Sequence, residues 1–399
     1  MIIAEEADLD KGEGGGLCKG TSRSKTTFRG GVDGCGTGFK YPSRAKALKP
    51  VKGLDLKKWE RVCFNYWMNR LLAVLLLGGF SAQAQTITET FGSGENQFSI
   101  DFVTIGNPNY VGDEARARPI FNEFGSFIRL ASFGSVTNIY NLGKFEISRD
   151  QINKANAAGS LGITLADMSS YGGNGVNIAA TGVSWNEAAR FVNYLNTSKG
   201  YQAAYNFTTS GSNDSITIWT NEQSGYNPNN PYRNRNAYYF LPNVDEWYKA
   251  AYGSPDGTYY TFTNGSNIAP NEVANGTSGA VYGGGDAGVA GLADVTNAGG
   301  LSPFGTMAQG GNAWEWNESA IDGGNNYAME KREVRGGGTD STSYDLDARH
   351  LIGLEPSSEY SLLGFRVAMV PEPSSLSLFL AGGAVLMAGR RSRRILVEK

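Results

Sequence analysis

Cysteine is missing from most of this chain. Its three copies, Cys18, Cys35 and Cys63, all precede residue 68. Beyond that point neither a disulfide scaffold nor a cysteine nucleophile can be built. Histidine is scarcer still, since His350 is the single copy. Zinc sites assembled from several His or Cys are therefore excluded. Charge is thin too: Asp, Glu, Lys and Arg make up 18% of the 399 residues. Within residues 85–370 it is lopsided, with 16 Lys/Arg against 28 Asp/Glu. An acidic body without a basic, aromatic-interleaved patch disfavours phosphate backbones, so no nucleic-acid partner is expected. Glycine (54), tyrosine (20) and small polar residues are abundant. That mixture suits a loop-rich, largely β extracellular domain. Residues 1–67 differ, with 13 Lys/Arg, 8 Asp/Glu and weak periodicity, and are expected to be disordered.

Both ends of the main body carry processing patterns. Met68 opens MNRLLAVLLLGGFSAQAQ, with Arg70 as a positive start, Leu71 to Leu77 as an apolar run and Ala82-Gln83-Ala84 as a cleavage site. Residues 68–84 therefore read as a secretory signal peptide, and residues 1–67 as a mis-assigned start. The alternative is a genuine extension with an internal signal anchor. At the other end, Pro371-Glu372-Pro373 precedes an apolar run from Leu376 to Gly389, then Arg390, Arg391, Arg393 and Arg394. The run is shorter than the roughly 20 residues that span a bilayer comfortably, and its basic end should stay cytoplasmic. This tripartite segment, 371–394, resembles the PEP-CTERM sorting signal of bacteria. The resemblance implies an exosortase-type sorting partner and a transient or permanent inner-membrane anchor. It also implies a destination in the cell envelope, at the outer surface or in the exopolysaccharide matrix. A plain C-terminal anchor helix is the alternative.

Between these ends, residues 86–147 read as short strands, clearest in QFSIDFVTI (97–105) and IYNLGKFEI (139–147). Three helices then announce themselves by their caps. Ser148 with Gln151 and Ser184 with Glu187 fit the capping box, and Asn243 with Glu246 is its Asn-capped variant. Trp185, Ala188, Val192 and Leu195 share one helical face; Val244, Trp247, Tyr248 and Ala251 share another. Both read as core stripes. Residues 253–300 form a long irregular stretch, and 301–370 return to short aromatic strands. The pattern predicts one α+β domain over about 95–370.

Six stretches fall in a recognisable order: NLGKFEIS (141–148), VSWNEAARFVNYLN (183–196), LPNVDEWYKAAY (241–252), GGNAWEW (310–316), VRGGG (334–338) and LGFRVA (363–368). Together they resemble the formylglycine-generating enzyme / sulfatase-modifying factor family. The resemblance implies a C-type-lectin-like fold, loop-rich with short strands and a few helices. Active members oxidise a substrate cysteine to formylglycine with a copper-binding cysteine pair downstream of Arg-Gly-Gly. Here Ser341 and Leu346 stand roughly at those positions. Soft cuprous ion needs soft sulfur donors, so neither copper nor formylglycine-generating activity is expected. A related branch uses iron held by several histidines, which one histidine cannot supply.

Glu315, between Trp314 and Trp316, carries the sharpest question. In an extended strand the two indoles share one face, in the core, and the carboxylate points to the other. The resemblance implies calcium held by the carbonyls of Gly311 and Ala313 and by the Glu315 carboxylate, hard oxygen donors that suit this ion. A second calcium loop would use Asn275, the Gly276 carbonyl, Asp286 and the Gly288 carbonyl. Ala308 stands where the family often has Asp or Asn, which removes one ligand. The alternatives for Glu315 are a structural anion held by backbone N–H groups or an arginine, and a catalytic acid.

Other constellations read as packing. Arg335 and Arg366 are expected to pair with acidic groups in the core. His350 with Ser341 and Asp345 or Asp347 lacks the strained nucleophile turn of a hydrolase triad. The function that follows is a non-catalytic binding or structural module in an exported envelope or exopolysaccharide-associated protein. The alternatives are a diverged, cysteine-independent enzyme using Ser341, Tyr344, Asp345 and Arg349, and a lectin-like carbohydrate binder using YNPNNPYRNRNAYY (226–239).

Overall fold

The structure is a computed structural model that describes residues 86–121, 127–284 and 291–371. The leader, the signal segment at 68–84 and the apolar run at 376–389 lie outside the described residues. So do Asp286 and Gly288. Among the described residues no helix is long and apolar enough to cross a membrane.

The first sheet gathers strands from distant parts of the chain. β1 (Thr86–Phe91) and β2 (Phe98–Ile105) form an antiparallel hairpin. Alternation along β2 buries Phe98, Ile100 and Phe102. β3 (Arg118–Phe121) and β4 (Phe127–Ala131) form a separate two-stranded unit. β5 (Tyr140–Gly143) is buried throughout and pairs with β2. Pairing there ends at Gly143, so only the first half of the strand expected at 139–147 forms. β6 (Tyr239–Phe240) and β11 (Ala368–Met369) complete the order β1-β2-β5-β11-β6.

The three helices start where their caps predict. α1 (Arg149–Gly159), α2 (Trp185–Ser198) and α3 (Val244–Tyr252) are capped by Ser148, Ser184 and Asn243, each with the reciprocal bond in place. Each cap is worth about 1 kcal/mol of helix stability. α2 is the central one: Trp185, Ala188, Phe191, Val192 and Leu195 are fully buried in the main core with Trp316, Phe365 and Val367. α3 buries Trp247, Tyr248, Ala251 and Tyr252 in a second cluster with Phe133 and Ala348.

The second sheet has the order β10-β7-β8-β9. It comprises β7 (Trp314–Ala320), β8 (Arg332–Arg335), β9 (Ile352–Leu354) and β10 (Leu363–Gly364). β10 runs parallel to β7; the other pairs are antiparallel. The described part of 253–300 beyond α3 contains only isolated bridges. Close backbone approaches hold it in place. At Gly291, with φ +152°, a Cβ would lie 2.0 Å from the Tyr171 carbonyl carbon, so only glycine fits. Few helices, short strands and long loops make an α+β architecture.

Candidate binding cleft

β7 positions the site. Its pleat sends Trp316 inward, where the indole N–H donates to the Val183 carbonyl at 2.8 Å. Glu315 points the other way, is fully buried, and meets Arg366. The guanidinium donates through Nε at 2.7 Å and Nη2 at 2.5 Å to the two carboxylate oxygens. Trp247 Nε1 adds a third bond at 2.6 Å. The remaining Arg366 donors reach the carbonyls of Gly143, Lys144 and Met307. A bidentate, fully paired ion pair of this kind tolerates burial because every donor has a partner. Arg335 pairs with Glu333 through Nε and donates from Nη1 to the Ala348 and His350 carbonyls, while its Nη2 has no hydrogen-bond partner among the described residues. Both arginines therefore sit in the core against carboxylates.

Glu146 lies beside this pair. Its carboxylate accepts from Asn312 Nδ2 at 2.6 Å and from the Ala313 N–H at 3.0 Å. Burial pushes its pKa well above the usual carboxylate range, and the Glu315 charge adds to the rise. Arg366 and the two N–H donors pull the other way without cancelling it.

The residues expected around a metal fall in two places. Gly311, at φ +93°, donates its N–H to the Gly336 carbonyl, and a Cβ there would meet the Val281 carbonyl at 2.5 Å. Ala313 is buried two residues on, next to Glu146. Asn275 is exposed on the irregular stretch, and the Gly276 carbonyl accepts from Gly299 at 2.8 Å. Among the described residues no group of three or more His, Cys, Asp or Glu is arranged to hold a metal ion. Ala308 has φ +59°, a left-handed conformation that Asn, Asp and Gly adopt more readily than Ala.

On the other side of β7 the loop after β8 turns through Gly336 and Gly337, both with positive φ. Ser341 and Leu346 flank Gly337: a Cβ there would meet Leu346 Cδ1 at 2.7 Å and Ser341 Cβ at 3.3 Å. Ser341 Oγ accepts from the Gly338 N–H at 2.9 Å. Asp345 accepts from the Thr342 N–H at 2.9 Å, and Asp347 is engaged by Arg349. The His350 ring packs against Trp314 and edge-on against Tyr344. Its Nε2 is 3.7 Å from Asp345 Oδ1, and burial lowers its pKa. No described contact joins His350 to Ser341, so the triad geometry is absent. Tyr344 is largely exposed.

Trp314 corrects one expectation. It is half-buried, not sunk in the core with Trp316, because it stands at the open end of β7. It forms a wall of a cleft of about 280 Å³ with Val334, Ile352, Leu354, Tyr360 and Asp340. Nothing local in the sequence marked these residues as one surface; β8, β9 and the 355–363 loop converge only in the fold. A wider, more open hollow of about 620 Å³ lies between the end of α1 and α2, where Arg190 stacks on Phe207 at 3.9 Å. It shares no lining residue with the cleft at Trp314.

Two small sheets, a few capped helices and a long irregular stretch define an α+β protein of the C-type-lectin-like class. Residues 139–370 match the sulfatase-modifying factor enzyme 1-like domain, and the chain belongs to that family. Three solved structures are similar. Treponema denticola variable protein 1 is 17% identical, with 72% of this chain and 100% of that chain covered at a TM-score of 0.46. CarF is 19% identical, with 68% and 99% covered at 0.46. PvdO from Pseudomonas aeruginosa is 14% identical, with 71% and 98% covered at 0.44. No curated protein matches the chain.

Proposed function

We propose that this is an exported bacterial protein of the cell envelope or exopolysaccharide matrix, whose sulfatase-modifying-factor-like domain binds a ligand without transforming it. The observation that carries the reading is the pair Ser341 and Leu346. The family resemblance sets the copper-binding cysteines at these positions, and here they are close neighbours across Gly337. A hydroxyl and an isobutyl group offer cuprous ion no soft donor. Export and sorting rest on the signal pattern at 68–84 and the Pro-Glu-Pro, apolar and arginine segment at 371–394, with exosortase-type machinery as the partner. The full chain, incubated with copper and a cysteine-containing sulfatase peptide, should leave the peptide mass unchanged. Formylglycine in the product would overturn the reading. Replacing both positions, Ser341→Cys with Leu346→Cys, should create cuprous-ion affinity that the parent chain lacks.

For Glu315 the geometry favours the structural anion over the calcium ligand. Arg366 and Trp247 take up both carboxylate oxygens, and Ala308 contributes no side-chain oxygen. The melting temperature of the dialysed protein should be the same with calcium as with chelator. A calcium-dependent rise would restore the ligand set of Gly311, Ala313 and Glu315, or the loop of Asn275, Gly276, Asp286 and Gly288.

One observation favours a second reading, carbohydrate binding. Tyr201, 40% exposed, stacks on Tyr238 with ring centroids 4.7 Å apart, at the end of the Tyr/Asn-rich stretch. Glycan-array signal lost in Tyr201→Ala would support it.

A further inference from the structure

The cleft at Trp314 has a chemical polarity that points to its ligand. Val334, Ile352, Leu354 and Leu362 supply an apolar wall, and Trp314 and Tyr360 supply aromatic surface. One carboxylate lines it: Asp340. Its carboxylate has no hydrogen bond or ion pair with any described residue, whereas its neighbours Asp345 and Asp347 are both engaged. Gly338 is what lets Asp340 and Trp314 come together. A Cβ at Gly338 would lie 3.0 Å from Trp314 Cδ1 and 3.3 Å from Asp340 Oδ1, so the carboxylate and the indole edge approach the same point.

A free carboxylate beside an indole and a phenol, at the mouth of an aliphatic slot, complements one kind of molecule. It has a hydrocarbon stem and a cationic head. The stem replaces water against the partly exposed Ile352, Leu354 and Leu362, a gain proportional to apolar area. The head gains from the opposite charge of Asp340. An anionic head would meet the like charge of the Asp340 carboxylate. The nearest basic side chain that packs on Trp314 is His350, and burial holds it towards its neutral form. It therefore does not compete strongly for the carboxylate. The available volume, about 280 Å³, accommodates a chain the length of a lysine side chain.

We propose that this cleft binds alkylammonium groups: an aliphatic stem lies along Ile352, Leu354 and Leu362, and the ammonium sits against the Asp340 carboxylate. This rests on the reading of the cleft as a binding site. The group has two sources, a free aliphatic amine or a lysine side chain on another protein, and the chemistry is the same for both.

Three probes of equal length separate the possibilities by titration calorimetry on the full chain: hexylammonium, hexanol and hexanoate. Hexylammonium should bind about five- to ten-fold more tightly than hexanol, with hexanoate weakest. In Asp340→Asn the advantage over hexanol should shrink to less than two-fold. Asp340 is exposed and unpaired, so this variant should fold as the parent does. Equal binding of hexanol and hexylammonium would overturn the alkylammonium assignment and leave the binding cleft intact. Failure of all three probes would overturn both. A fourth probe, Nα-acetyl-lysinamide, identifies the source: binding at least as tight as hexylammonium assigns the cleft to protein-borne lysine, and weaker binding assigns it to a free amine.

Discussion

Trp314 and Glu315 are neighbours in the chain with opposite surroundings. Glu315 lies in a region where each carboxylate oxygen and each terminal nitrogen of Arg366 has a partner. Trp314 opens onto a region where Asp340 is unpaired among the described residues and the aromatic side chains are partly exposed. The side that satisfies its own charges holds the scaffold together. The side that leaves them unsatisfied is available to a ligand. A single strand serves both purposes because Trp314 stands at its open end while Glu315 and Trp316 are already buried.

The largest expected effect comes from breaking the closed side. Arg366→Met leaves the Glu315 carboxylate buried beside Trp247 alone, and should destabilise the domain by about 3–5 kcal/mol in urea unfolding. Adding Glu315→Gln should recover a sizeable part of the loss. If Arg366→Met alone cost nothing, the pair would not be the anchor claimed here.

The next effect sharpens the same region through pH. Glu146 holds its proton in the folded state at pH values where the unfolded chain has released it. The folded state then binds more protons than the unfolded state, so stability falls as pH rises. The window runs from the ordinary glutamate value, about 4.3, up to the raised folded value. Glu146→Gln should flatten the slope of unfolding free energy across that window, whatever its absolute stability. An unchanged slope would show that Glu146 does not titrate there.

A smaller effect tests backbone strain at the edge of the closed region. Ala308 adopts φ +59°, which an L-residue pays for sterically and glycine does not. Ala308→Gly should raise stability by about 1 kcal/mol or less, read as a higher urea midpoint with the slope unchanged. Loss of stability would mean that packing of the Ala308 methyl outweighs the strain. On the open side, Asp340→Asn should change stability least and bring hexylammonium binding close to that of hexanol.

Legibility in the sequence followed the range of the interactions. The three helices were legible because Ser148 with Gln151, Ser184 with Glu187 and Asn243 with Glu246 carry their signals within four residues. The first sheet was not, because β6 and β11 are two residues each and β11 pairs with strands over a hundred residues away. The family resemblance gave the overall class, which no local pattern could have named. The tendency of Arg366 to pair with an acid was legible from a lone cation among core residues. That its partner is Glu315, 51 positions away, was not. The cleft was least legible. Asp340 reads locally as one polar residue in a turn, and it acquires meaning only when Gly338 brings it beside Trp314.

Copper content of the protein tests the central claim most directly. Elemental analysis of the protein, isolated after growth with copper and assayed under reducing conditions, should find no stoichiometric copper. One cuprous ion per chain, retained through purification and lost in a Ser341→Ala variant, would contradict the account.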